Sequence, residues 1–187
     1  MKQKHSLILS IFITLLIALN IFLLPTNERQ SVVIKEVIDG DTLKTADNKN
    51  IRLVNINTPE KNEFGYEEAK SFLKNFEGKE AEIEIIGADK YGRILARVFS
   101  PGYLNLEIVE EGLATKFLVQ ANEAKEFSDA EEKAIENEEG IWKKSEFSEC
   151  MNLEIEKKEI ILQNFCENAE IKNFEVREEG RKKYKLE

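Results

Sequence analysis

A chain of 187 residues is long enough for one domain of ordinary size with a further segment on either side. Its formal net charge of −9 argues against broad, non-specific nucleic-acid binding, because that mode depends on basic residues that neutralise phosphates. A zinc site is not expected either, since the only histidine is His5 and the chain has two cysteines.

Residues 1–25 are predicted to form an N-terminal membrane anchor or a signal sequence. Lys2 and Lys4 precede an uncharged, mostly apolar run over residues 7–24, and a helix needs about 17–25 such residues to cross a bilayer. A cleaved signal has a shorter apolar core that ends in small residues, whereas this run ends in Leu-Leu-Pro-Thr-Asn. We therefore expect one transmembrane helix with the rest of the chain outside the cytoplasm; cleavage and secretion are the alternative.

The segment over residues 31–145 has the pattern of a small β-rich domain. Alternating or β-branched runs predict strands at 31–38, 41–45, 51–56, 80–86 and 93–99, with a mostly extended stretch at 113–119. Helical spacing predicts helices at 66–76, 104–111 and 123–139. The fold class is therefore β-rich α+β, a five-stranded barrel of the OB type with about three helices.

The last predicted helix is strongly acidic. Residues 123–139 hold eight carboxylates and two lysines, while Phe127, Ala130 and Ala134 recur at helical spacing. This pattern predicts a helix with an apolar face on the core and a solvated acidic face.

The tail over residues 150–187 reads as three short strands with polar turns. The run EIILQNFCENAEIKNFEVREEGRKKY is similar to the beginning of a lamin-tail domain, an immunoglobulin-like sandwich that needs roughly 100 residues. Cys150 and Cys166 form either a disulfide, which an exported protein permits, or two buried thiols.

Three polar clusters stand at the ends of predicted strands. They are Asp39-Gly40-Asp41-Thr42, then Arg52 with Asn57-Thr58-Pro59-Glu60, then Asp89-Lys90-Tyr91-Gly92-Arg93. Each cluster alone is typical of a turn or a surface ion pair. Strand ends are also where small β-rich domains commonly carry their functional residues, so we consider the clusters together.

Together the clusters supply the parts that phosphodiester hydrolysis requires. Oxygen ligands suited to a hard divalent cation stand at Asp41, Asn57 and Thr58. Glu60 could orient or deprotonate a water molecule. Arg52 and Arg93 could bind a phosphate through two N–H donors each and stabilise its developing charge.

The segments VIDGDT, IRLVNINTPE, DKYGR and EEGLA, taken in this order, resemble the staphylococcal nuclease (thermonuclease) family over about residues 31–145. The resemblance implies an OB-type barrel and a calcium-dependent enzyme that hydrolyses DNA and/or RNA to 3′-phosphate ends. We expect it to act as a monomer and, from the N-terminal segment, outside the cytoplasm.

On the metal side, the resemblance implies that Asp41 binds calcium directly and that Thr58 binds it through the backbone carbonyl. Glu60 would act on the attacking water. The family's pattern has a second aspartate where this chain has Asn57. An amide oxygen still coordinates calcium but carries no charge, so we expect weaker calcium binding.

On the phosphate side, the resemblance implies that Arg52 and Arg93 bind the scissile phosphate. Tyr91 would contact a phosphate or sugar nearby, and Lys90 would add positive charge to the substrate site. Leu118 stands where the family's pattern has a tyrosine, which affects substrate affinity more than the reaction.

The alternative is a catalytically inactive OB-type module that binds nucleic acid or protein at the membrane. Such modules typically lose the arginines or the glutamate, whereas Arg52, Glu60 and Arg93 are all present here. The sequence therefore favours a phosphodiesterase of the endonuclease type and leaves the choice between DNA and RNA open.

Overall fold

The structure, a computed structural model, describes residues 29–156, 159–167, 175–177 and 183–185. The predicted anchor over residues 1–25 lies outside the described residues. Within them, every helix is too short or too polar to cross a membrane.

Five strands form a closed barrel, which confirms the predicted β-rich architecture. The strands are β1 (Gln30–Val37), β2 (Thr42–Thr45), β3 (Asn50–Leu53), β5 (Glu80–Ala88) and β6 (Ile94–Phe99). Around the barrel their order is β1-β2-β3-β6-β5. Neighbouring strands are antiparallel except for β3 and β6, which run parallel with Ile51 opposite Ile94.

Alternation along the strands fills the barrel interior. In β5, Ala81 and Ile83 are buried while the glutamates at 80 and 82 face solvent. In β1, Ile34 and Val37 are both buried although they are three positions apart. A register shift between Ile34 and Glu36 makes this possible, because one extra residue returns the next side chain to the same face.

Three helices cover the barrel, as the sequence predicts. They are α1 (Tyr66–Lys74), α2 (Leu104–Glu110) and α3 (Ala124–Glu136), and a short 3-10 helix follows at Gly140–Trp142. Leu73 of α1, Ile108 of α2 and Phe127 of α3 are completely buried in the core.

The predicted strand over residues 51–56 is interrupted. β3 ends at Leu53 and the chain pairs again as β4 (Ile56–Asn57), whose partner is β7 (Thr115–Lys116) rather than a barrel strand. The break lies at Asn55, whose φ of 69° is left-handed and incompatible with a continuous strand. Similarly, the stretch predicted as extended over 113–119 pairs only at β7, and Leu118 has a φ of 51°.

The apolar face of the last helix is buried as predicted, but its acidic face is only partly solvated, because two of the carboxylates are buried as well. Glu123 and Glu131 are 8% and 5% exposed. Glu131 accepts the backbone N–H of Lys116 at 2.9 Å and pairs with the same lysine's ammonium group. Helix α3 is thereby bonded to β7.

In the tail, two antiparallel strand pairs take the place of three strands. β8 (Met151–Glu156) pairs with β9 (Glu159–Asn164), and β10 (Glu175–Arg177) pairs with β11 (Lys183–Lys185). Cys150 and Cys166 form a disulfide at the base of the first hairpin, which decides between the two alternatives for these residues.

Candidate active site

Asp41 lies at the start of β2, at the centre of a group of polar contacts. Its side chain is almost completely buried and bonds three neighbours. The Thr42 hydroxyl donates to Oδ1 at 2.9 Å, and the Thr58 hydroxyl donates to Oδ2 at 3.3 Å. Arg52 Nη2 lies 2.9 Å from the same Oδ2. Two predicted metal ligands and one predicted phosphate ligand therefore meet at one carboxylate.

The environment of Asp41 favours added positive charge. Burial raises the pKa of Asp41 to about 6, and the neighbouring Asp39 carboxylate also raises it, although Arg52 acts in the opposite direction. Asp39 Oδ1 accepts the backbone N–H of Asp41 at 3.1 Å, so two carboxylates lie side by side. Asp39 was predicted only as part of a turn, and its spacing of two residues from Asp41 is the sequence signal for a second carboxylate here.

Gly40, between the two aspartates, permits the close approach of this turn to the rest of the site. An added Cβ would lie 2.7 Å from Thr58 Oγ1 and 2.8 Å from the Cβ of Ala69 on α1. The turn therefore rests directly on the chain segment that carries Thr58.

Arg52 is fixed by its strand and by backbone carbonyls. The pairing of β2 with β3 sets Arg52 opposite Thr42. The guanidinium donates to the carbonyl of Leu53 at 2.6 Å and to that of Ile56 at 3.0 Å, in addition to its ion pair with Asp41. These contacts place a fixed positive charge, only 9% exposed, against the carboxylate.

Arg93 is held by the loop that precedes β6. Asp89 Oδ1 accepts the backbone N–H groups of Tyr91 and Arg93, and its Oδ2 accepts Arg93 Nε at 2.8 Å. Arg93 Nη1 then donates to the Thr42 hydroxyl at 3.3 Å. Thr42, which is not among the predicted site residues, thus joins Arg93 to Asp41, and the two predicted phosphate ligands are linked through Asp41 and Thr42.

Tyr91 and Lys90 stand on the solvent side of this group. The Tyr91 ring is 73% exposed. The Lys90 ammonium nitrogen lies 5.0 Å from the ring centroid, and the Arg93 guanidinium carbon lies 5.8 Å from it. Such an aromatic face with adjacent cations suits contact with a nucleotide.

Glu60 and Asn57 follow the same strand end. Glu60 is exposed just after the buried Thr58, and its backbone N–H donates to Glu63 Oε2 at 2.7 Å. Asn57 is half-buried in β4, where its carbonyl accepts the Thr115 hydroxyl at 3.3 Å. The hydrogen bonds described for these two residues are made by backbone atoms, so the roles of their side chains stay predictions.

The donor set is consistent in kind with a hard cation. Among the described residues, no group of three or more His, Cys, Asp or Glu side chains comes together. The oxygens near Asp41 are instead the hydroxyl groups of Thr42 and Thr58 and the carboxylate of Asp39, a second anion beside it. Oxygen donors of this kind are those that calcium takes in proteins, where part of the ligand set is commonly neutral.

A second polar group, which the sequence analysis missed, lies behind the site. Glu123 Oε2 accepts Arg97 Nε at 2.9 Å and Asn55 Nδ2 at 3.0 Å, and its Oε1 accepts the Tyr103 hydroxyl at 2.9 Å. Arg97 also pairs with Glu84 at 2.6 Å. No local motif marks these residues, because they are spread along the chain from position 55 to position 123.

Comparison with known proteins agrees with this architecture. Residues 50–144 match the family described as staphylococcal nuclease homologue, a range that includes Arg52, Glu60 and Arg93. An uncharacterized endonuclease of Escherichia coli is 34% identical over 92 residues, which cover 47% of this chain and 55% of that protein. An uncharacterized endonuclease of Escherichia coli O157:H7 is 33% identical over a match of the same extent. The chain thus spans about half the length of the curated relatives it matches. The chain belongs to the staphylococcal nuclease homologue family.

Proposed function

We propose that the chain is a calcium-dependent nuclease that hydrolyses phosphodiester bonds of DNA and/or RNA and leaves 3′-phosphate ends. The observation that carries this proposal is the contact series from Arg52 through Asp41 and Thr42 to Arg93. It sets one guanidinium against the buried carboxylate and a second one hydroxyl group away, which is the charge arrangement that a phosphate and a cation together would complete. The names of the relatives, which are endonucleases, support the same reaction class.

The metal side of the proposed site comprises Asp41, Asn57 and Thr58, with Asp39 adding negative charge nearby. Calcium bound there would polarise a phosphate oxygen and offset the charge that develops on it. The chain itself contributes the buried carboxylate and holds it in place with the Thr42 and Thr58 hydroxyl groups.

The reaction that we propose is the attack of water on phosphorus with loss of the 5′-oxygen. Glu60 accepts a proton from the water as the new P–O bond forms. The bond from phosphorus to the 5′-oxygen breaks, and that oxygen takes up a proton, which leaves the phosphate on the 3′ side. Arg52 and Arg93 stabilise the negative charge on the other phosphate oxygens. The described hydrogen bonds of Arg93 use Nε and Nη1, so we assign Nη2 to the phosphate.

We further propose that residues 1–25 hold the enzyme at the membrane with the nuclease domain outside the cytoplasm, or that their cleavage releases it. The disulfide between Cys150 and Cys166 supports this location, because disulfides persist mainly in oxidising compartments. The proposed enzyme acts as a monomer, with Tyr91 and Lys90 contacting the substrate.

The decisive experiment measures cleavage of labelled single-stranded DNA and RNA by the full-length chain in mild detergent. Calcium, magnesium and chelator are compared, and Glu60→Gln is tested beside Glu67→Gln, which changes an exposed glutamate in the first turn of α1. We expect calcium-dependent cleavage that falls by about a hundredfold or more in Glu60→Gln and is unchanged in Glu67→Gln.

The absence of cleavage by the folded protein at any calcium concentration would refute the nuclease proposal. The second candidate is then a nucleic-acid-binding module, which the exposed ring of Tyr91 with its two adjacent cations favours. Measured binding of single-stranded DNA that weakens in Tyr91→Ala would support that alternative.

A further inference from the structure

The turn between β3 and β4 supplies two hydrogen-bond acceptors to the Arg52 guanidinium. Arg52 donates to the carbonyl groups of Leu53 and Ile56, which stand on the two sides of Val54 and Asn55. These two carbonyls, called here the carbonyl pair, converge on one side chain because Asn55 takes a left-handed φ of 69°. In a continuous strand the carbonyl groups point alternately to the two edges, so carbonyls three residues apart would not meet at one side chain.

Asn55 is itself held by hydrogen bonds to its side chain and to its backbone carbonyl. It is 6% exposed, and its side-chain Nδ2 donates to Glu123 Oε2 at 3.0 Å. Its carbonyl accepts the backbone N–H of Phe117 at 2.7 Å. The turn is therefore hydrogen-bonded to the segment before α3 through the Asn55 side chain, and to the residue after β7 through the Asn55 carbonyl.

Glu123 provides a firm attachment point for Asn55. Burial acts to raise the pKa of Glu123, but hydrogen bonds from Arg97, Tyr103 and Asn55 outweigh burial and lower it, so the carboxylate is charged at neutral pH. Arg97 is fixed in turn by Glu84 on the neighbouring strand. A series of polar contacts thus runs from Glu84 on β5 through Arg97 and Glu123 to the turn that carries the carbonyl pair.

We propose that Asn55 and Glu123 are positioning residues that hold the carbonyl pair and so aim the Arg52 guanidinium at the reacting phosphate. Neither residue touches the substrate. The role of Arg52 in this inference rests on the proposed nuclease function. The structural coupling of Asn55 to Arg52 can be measured without any enzymatic activity.

The central variant is Asn55→Gly. Glycine adopts a positive φ readily, and the substitution removes the amide with its hydrogen bonds to Glu123 and Tyr103. The matched control is Asn48→Gly. Asn48 also has a positive φ, of 63°, and its side chain accepts only an exposed hydrogen bond from Lys35. Both variants are compared with the wild type as full-length chains, under conditions in which each is fully folded by circular dichroism.

The kinetic readout is cleavage of labelled single-stranded DNA at saturating calcium. We expect Asn55→Gly to lower kcat by about ten- to a hundredfold, because a displaced guanidinium loses alignment with the developing charge. We expect KM to change by less than about threefold, and Asn48→Gly to leave both constants unchanged. A loss of stability alone would move neither constant in fully folded protein.

The second readout needs no activity. The equilibrium constant of unfolding is measured for the wild type, Asn55→Gly, Arg52→Lys and the double variant, and again with Asn48→Gly in place of Asn55→Gly. For Asn55→Gly with Arg52→Lys, we expect the fold-change of the unfolding constant in the double variant to differ by more than about twofold from the product of the two single fold-changes. For Asn48→Gly with Arg52→Lys, we expect it to equal that product.

Either of two results overturns the inference. One is a deviation below about twofold in the cycle of Asn55 with Arg52; the other is a kcat for Asn55→Gly within about twofold of the Asn48→Gly value. If the wild type does not cleave nucleic acid, the nuclease proposal fails and the cycle alone decides whether Asn55 positions Arg52.

Discussion

Gly40→Ala tests whether the turn between Asp39 and Asp41 must pack closely on the rest of the site. The added Cβ would lie 2.7 Å from Thr58 Oγ1, 2.8 Å from Ala69 Cβ and 2.9 Å from Thr58 Cβ. Both neighbours are short side chains, 4% and 0% exposed, so neither has a flexible end that swings away. The backbone of the turn or of α1 has to move.

The expected loss of stability follows from two opposing terms. Overpacking of a tight site costs about 1–3 kcal/mol, and three contacts below 3.0 Å favour the upper part of that range. Alanine lowers the entropy of the unfolded chain, which returns roughly 0.4–1 kcal/mol at a position without positive φ. We therefore expect a net loss of about 2 kcal/mol in the free energy of unfolding, or roughly thirtyfold in the equilibrium constant.

Urea unfolding followed by circular dichroism measures this loss. With an m-value of about 2 kcal/mol/M, the midpoint should fall by about 1 M. Gly87→Ala is the matched control, because nothing lies within 4 Å of its added Cβ and its φ is not left-handed. We expect the control to stay within about 0.5 kcal/mol of the wild type. Equal midpoints for the two variants would refute the packing argument.

Three further predictions concern charge and covalent structure. Hydrogen bonds lower the pKa of Glu123 in the folded protein despite its burial. The charged Glu123 therefore contributes its full stabilisation above the unfolded-state pKa of about 4.3, and this stabilisation is lost as the pH falls through the lower folded-state pKa. Acid titration of stability should therefore show a smaller loss between roughly pH 5 and 3 in Glu123→Gln than in the wild type, and parallel curves would contradict this. Asn57→Asp should tighten calcium binding by roughly tenfold in calorimetry, because it adds one negative charge to the proposed ligand set; a wild-type dissociation constant below about 1 μM would show that the amide costs no affinity. Since the chain has two cysteines and Cys150 is bonded to Cys166, the denatured protein should take up no thiol reagent before reduction and two equivalents after it.

The barrel was predictable from sequence because its strands carry a local signal. The alternation in EAEIEII and the Asp39-Gly40 turn are read directly from neighbouring residues, and hydrophobic periodicity is strongest where one face is buried. The strand that carries Arg52 and the loop that carries Arg93 were predicted for the same reason, and their contacts with Asp41 and Thr42 follow from strand pairing.

The contacts behind the site were not predictable in this way. Glu123 looks like one more charge in an acidic helix, and only its distant partners Arg97, Tyr103 and Asn55 make it a buried residue. The break at Asn55 was missed for a related reason. Asparagine tolerates a left-handed φ without requiring it, so the tertiary bond to Glu123 decides the conformation.

Closure of the barrel determines which contacts of the site form first during folding. Asp41 and Arg52 meet within the short hairpin of β2 and β3, whereas Arg93 reaches Thr42 only when β6 pairs with β3, with Ile94 opposite Ile51. Pairings between distant residues close late in folding, because the loop entropy must be overcome first. An incompletely folded chain would thus carry half of its proposed phosphate site until the barrel closes. If the chain cleaves nucleic acid as proposed, that activity begins only with the completed fold.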